Sequence, residues 1–125
     1  MNTLDNVVEC ASLVCSDLRI PMPRVTVSQR TASAWYRFKT RRIHIGIKSR
    51  AFRLSVEEAC LHELAHHVEC WRNGGRLAEK RRPHGPTFVT ALHDVVVAWY
   101  GRTDRYRWDL DYKCVAREAK KRGYY

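Results

Sequence analysis

Apolar residues recur at helical spacing near the start of the chain, where Leu4, Val7, Val8, Ala11, Cys15 and Leu18 form one stripe that stops at Pro21-Met22-Pro23. This predicts a first helix. The period then changes to two. Val25 and Val27 alternate with polar neighbours; Ala34, Tyr36 and Phe38 alternate with Trp35, Arg37 and Lys39; Ile43, Ile45 and Ile47 alternate with Arg42, His44 and Gly46. Three short strands follow from this, with Thr40-Arg41 as a hairpin turn and the first helix covering the sheet. From Ser55 the helical period returns, and Val56, Cys60, Leu64, Val68 and Trp71 make a stripe with Leu61 at its edge. Ser55 with Glu58 three residues later is a capping box, and Gly74-Gly75 is a stop signal. Another helix begins at Gly85-Pro86, with proline at its first position, and carries Phe88, Leu92, Val95 and Trp99. The fold class is α+β: an N-terminal helix, a small antiparallel or mixed three-stranded sheet, two further helices and a basic helical tail. One domain spans residues 1–125, with its core at about 20–100 and the tail at about 101–125.

The third of these patterns carries chemistry. His62-Glu63-Leu64-Ala65-His66 sets two imidazoles four residues apart, on the helix side opposite the apolar stripe. On a helix this pair lies about 40° apart, so both rings reach one tetrahedral metal, with Glu63 about 100° round near the open coordination position. Zinc held by three nitrogens lowers the pKa of water at the fourth position to roughly 7, and Glu63 accepts its proton as general base. A third ligand is needed. The candidates are His67, Glu69, Glu79, His84 and His93. His67 sits beside the apolar stripe, and Glu69 would have to fold back along its own helix. His93 points away from the start of its helix, and Asp94 and Glu79 are not singled out by any pattern. His84 stands immediately before Gly85-Pro86, where the second metal-bearing helix can face the first. Cys60 and Cys70 flank the motif, but Cys60 belongs to the apolar stripe.

The His-Glu-x-x-His helix followed by His84-Gly85-Pro86-Thr87-Phe88 resembles the SprT-like zinc metallopeptidases, the group that includes Spartan and Wss1-type proteases of DNA–protein crosslinks. The likeness covers roughly residues 20–100. It implies that His62, His66 and His84 bind Zn2+ and that Glu63 is the catalytic base. No paired CxxC motifs follow, so the resemblance extends to the minimal catalytic core. In zinc peptidases of this architecture an edge strand beside the metal helix pairs with extended substrate, and residues 42–47 are the candidate strand.

Charge adds a partner. Lys and Arg number 23 against 13 Asp and Glu, a net +10, and the positives cluster at 37–42, 48–53, 72–82 and 117–122. Such clusters suit a polyanion. Trp35, Tyr36, Phe38, Tyr106, Trp108 and Tyr112 interleave with them, as stacking on unpaired bases would require, although Tyr36 and Phe38 read better as core. Lys80, Arg81 and Arg82 are the candidate nucleic-acid contacts. No recognition helix or finger spacing supports sequence-specific reading. Five cysteines without a CxxC pair read as reduced thiols, and the first residues lack signal-peptide or membrane-span character, so a cytoplasmic location is expected. The reading is a zinc endopeptidase acting on protein at or near single- or double-stranded DNA. Its alternatives are a nucleic-acid-binding module with structural zinc and a zinc hydrolase of another amide. Tyr100, Arg102 and Tyr106 are guesses for the oxyanion-stabilising group.

Overall fold

The computed structural model describes residues 3–48, 54–74 and 83–125. It is α+β, with four helices and one three-stranded mixed sheet among the described residues. Helix α1 runs over Leu4–Leu18, with Thr3 accepting from the Asn6 amide at its N-cap and Arg19 closing it in a left-handed conformation. Its buried residues are Val7, Cys10, Ala11, Val14 and Cys15. Leu4 and Val8, expected on the apolar stripe, are exposed, so the buried face is rotated toward Cys10 and Val14. Helix α1 packs chiefly on the helix over Pro86–Tyr100 and reaches the sheet through its first strand, so it is less of a sheet cover than the pattern suggested.

The strands are β1 (Arg24–Ser28), β2 (Ala34–Arg37) and β3 (Arg42–Gly46), in the order β1-β3-β2. Strand β3 pairs in parallel with β1 and antiparallel with β2. The β2–β3 turn falls at the expected residues, with Arg41 at φ 51°. This order corrects one expectation. Residues 42–46 form the central strand, with neighbours on both sides, so their backbone is not free to pair with a substrate. The edges are β1 and β2, and β2 is the edge strand that packs against the helix carrying His62 and His66. Ile43 and Ile45 are fully buried, and Val25, Val27, Ala34 and Tyr36 pack beside them against the helices.

Helix α2 (Val56–Arg72) opens with the expected capping box: the Glu58 amide donates to Ser55 Oγ at 3.1 Å, and the Ser55 amide donates to Glu58 Oε1 at 3.2 Å. It is not a surface helix with one apolar stripe. Residues 58–70 are all buried except His66, because the sheet, α1, the following helix and the C-terminal segment surround it. Trp71, placed on the stripe by spacing, is 40% exposed at the helix end. Helix α3 (Pro86–Tyr100) starts with Gly85 at the N-cap and Pro86 in its first turn and ends at Gly101, which has φ 77°. The stretch after residue 100 is helical at α4 (Lys113–Lys121), yet it is no appended tail. Tyr106, Trp108, Val115 and Ala119 join the single core, and the Trp108 indole N–H donates to the Thr103 carbonyl at 2.9 Å. All five cysteines are free, with Cys114 alone exposed. Among the described residues no helix is long and apolar enough to cross a membrane.

Candidate metal centre

Helix α2 delivers His62 and His66 from successive turns, and the turn before α3 delivers His84. One ligand nitrogen from each lies within 4.8 Å of the other two. His62 Nε2 and His84 Nε2 are separated by 3.2 Å. Two nitrogens bound at about 2.05 Å on a tetrahedral zinc lie about 3.3 Å apart, so the spacing and the all-imidazole donor set fit such an ion. Phe88, fully buried on the first turn of α3, floors the cluster, with its ring centroid 4.9 Å from His62, 4.4 Å from His66 and 4.9 Å from His84.

A buried carboxylate orients the first histidine. His62 Nδ1 lies 3.0 Å from Asp111 Oδ2, which leaves Nε2 directed to the other two rings. In the neutral imidazole Nδ1–H donates to the carboxylate and Nε2 keeps the lone pair that a metal needs. Asp111 is 3% exposed and also accepts from the Tyr106 hydroxyl at 2.6 Å and from the Tyr112 amide at 2.7 Å. Tyr112 then lays its ring on His84, with centroids 4.4 Å apart and planes at 26°, and remains 60% exposed. The sequence does not single out Asp111, and it marks Tyr112 only as one of the aromatics interleaved with the basic clusters. They lie in a segment without periodicity, and the only signal was their position after a run of aromatics.

Electrostatics follow from burial. Burial pushes His66 well below the ordinary histidine range, and the neighbouring His62 and His84 push it further. His84 is lowered to about 4, by burial first and then by His62. His62 differs: burial would lower it, but the hydrogen bond and charge of Asp111 outweigh that and raise it. Glu63 is pushed up to about 7, chiefly by burial. Its carboxylate is 8% exposed and has no hydrogen-bond or ion-pair partner among the described residues.

The other ligand candidates among the described residues are engaged elsewhere. His67 sits between the Tyr36 hydroxyl at 3.0 Å and the Pro21 carbonyl at 2.8 Å. Glu69 accepts from Thr87, and Asp94 holds both Arg72 and His93. Cys60 is buried beside Cys10 in the α1–α2 contact. Glu79 lies outside the described residues, as do Lys80, Arg81 and Arg82. The three groups guessed for the oxyanion are also committed: Tyr100 to Glu57, Arg102 to Asp104 and Tyr106 to Asp111. A scan against protein-family models finds no match, and neither curated proteins nor solved structures give one.

Proposed function

We propose that this chain is a zinc-dependent endopeptidase of the His-Glu-x-x-His type, acting on protein held at or near nucleic acid, as its resemblance to SprT-like enzymes implies. The observation that carries the reading is Glu63. A buried carboxylate without a protein partner among the described residues is costly, and next to a histidine placed to hold a metal that cost has a use. A purely structural zinc would need a fourth protein ligand, and among the described residues the cluster holds three.

In this reading His62, His66 and His84 hold the ion, and Asp111 fixes the His62 ring. Bound zinc supplies Lewis acidity that polarises a carbonyl and acidifies water. Glu63 takes the proton from the attacking water and passes it to the leaving amine. Tyr112, whose ring lies on His84, is the donor for the developing oxyanion. Extended substrate pairs with the free edge of β2, the strand beside α2, through main-chain hydrogen bonds.

The test is Glu63→Gln, which keeps size and removes the base. Metal content should stay near one zinc per chain while cleavage of a protein substrate falls about 10²- to 10⁴-fold, measured with and without single-stranded DNA. Equal cleavage by the variant, or no cleavage by a zinc-loaded wild type under any of these conditions, removes the peptidase reading.

A further inference from the structure

The side of the sheet turned away from the helices carries a cationic and aromatic row. Alternation puts Ile43, Ile45, Tyr36, Val25 and Val27 on the core side and Arg24, Thr26, Trp35, Arg37, Arg42 and His44 on the other. The register then sets three arginines side by side across the strands, since Arg24 and Arg37 are both paired with Arg42. Like charges directly opposite one another destabilise a sheet. None of the three has a carboxylate partner among the described residues. The next row is aromatic: Trp35 is paired with His44 and stacks on it, with centroids 5.0 Å apart and planes at 17°. The Arg37 and Arg42 guanidinium carbons lie 4.5 and 5.3 Å from the Trp35 ring centre, and Arg42 Nε also donates to Thr26 Oγ1 at 3.4 Å. Thr26 Oγ1 in turn lies 2.9 Å from His44 Nδ1.

We infer that this outer sheet face is a binding surface for single-stranded nucleic acid, with phosphates on Arg24, Arg42 and Arg37 and a base stacked at the Trp35–His44 pair. It deepens the reading above by giving the nucleic acid a place, and it rests on that reading for the partner class but not for turnover. Charge complementarity selects the occupant: a polyanion removes the repulsion that the register imposes on the three arginines. Stacked rings among the arginines select unpaired bases, because every base offers a π-face to extend a stack and a duplex keeps its faces inside. Among the described residues no helix stands out from this face to enter a groove. Recognition is therefore of backbone and ring, indifferent to sequence.

The experiment uses the full chain carrying Glu63→Gln, so that cleavage plays no part, and follows fluorescence anisotropy of a labelled oligo(dT) over a range of salt. Trp35→Ala should weaken binding about 5- to 150-fold, and Trp35→Phe should retain most of it. Arg37→Ser with Arg42→Ser should lower the salt slope by about 1.4, two phosphate contacts at about 0.7 each. Lys113→Ser with Lys120→Ser on α4 removes the same charge elsewhere and should leave the Trp35→Ala effect unchanged. Zinc content and melting temperature of each variant report folding. The proposal is overturned if folded Trp35→Ala and the double arginine variant bind within twofold of the parent. It is also overturned if the parent does not bind oligo(dT), or if duplex of the same length binds more tightly and loses as much on Trp35→Ala. Loss of peptidase activity in wild type, with these binding effects intact, would count against the proteolytic reading alone.

Discussion

Asp111 holds more of the centre together than any one histidine does, because its two oxygens answer to an imidazole, a phenol and a main-chain amide at once. Groups that orient a ligand from behind typically account for 10- to 100-fold in metal affinity. Asp111→Ala should therefore weaken zinc binding by that order in a competition titration, whereas Tyr106→Phe, which leaves the carboxylate in place, should chiefly lower stability. Equal zinc affinity in Asp111→Ala and wild type would refute the orienting role. His84→Ala should lose most of the zinc outright, since two nitrogens retain it poorly, and full occupancy in that variant would remove His84 from the set. The three histidines were legible because i, i+4 spacing has one geometric meaning on a helix and His84 stood at a marked helix start. Asp111 was not legible. Its role depends on a turn of the 101–111 segment back against α2, and no local pattern in sequence encodes a contact 49 residues away.

Helix α2 shows how an amphipathic reading fails at the scale of an element. Glu58, Glu63, His67 and Glu69 lie off the apolar stripe that the spacing defines, yet all four are buried, three of them held by partners from other elements. Periodicity counts polar residues as exposed; it cannot see the partner that makes burial affordable. The strand alternation was likewise correct about which residues face inward and silent about which strands are neighbours, so β3 was mistaken for an edge. Glu58 gives this scale its test. It closes the capping box and also accepts from the Arg107 amide at 2.9 Å and its Nε at 3.0 Å, which pins the segment carrying Asp111 onto the start of α2. Burial alone would raise the Glu58 carboxyl, but the Arg107 and Ser55 hydrogen bonds outweigh it and hold it below the usual carboxylate range. A lowered folded-state pKa stabilises the fold above the unfolded value of about 4.3, and that contribution is lost as pH falls through the folded value. Glu58→Gln should thus cost about 1–2 kcal/mol at neutral pH, mostly from the cap and the buried amide because the half-exposed guanidinium is screened by solvent. In chemical denaturation the gap to wild type should stay level from pH 7 to about 5 and close below about 4. A gap that persists undiminished at the lower pH would show that the carboxylate charge is not its source.

For the whole molecule, the histidine cluster is where separate parts of the chain meet. Helix α2, the start of α3 and the segment before α4 each send a side chain there, and the three parts share one core. A ligand that binds the folded state and not the unfolded chain stabilises by RT ln(1 + [L]/Kd), about 4 kcal/mol at a thousandfold excess over Kd. For a chain of 125 residues that corresponds to a rise in melting temperature on the order of 10 °C. Zinc should therefore raise the thermal midpoint of chelator-treated protein by that amount in a concentration-dependent way, and His62→Ala should lose the increment, starting from a metal-free midpoint lowered by the loss of its bond to Asp111. Glu63→Gln should keep the increment, because its carboxylate holds no ligand in place, and this would separate the proposed base from the proposed ligands. Were the midpoint the same with zinc and with chelator, the three rings would be a packed histidine cluster rather than a metal centre, and the buried, unpartnered Glu63 would be left without a purpose.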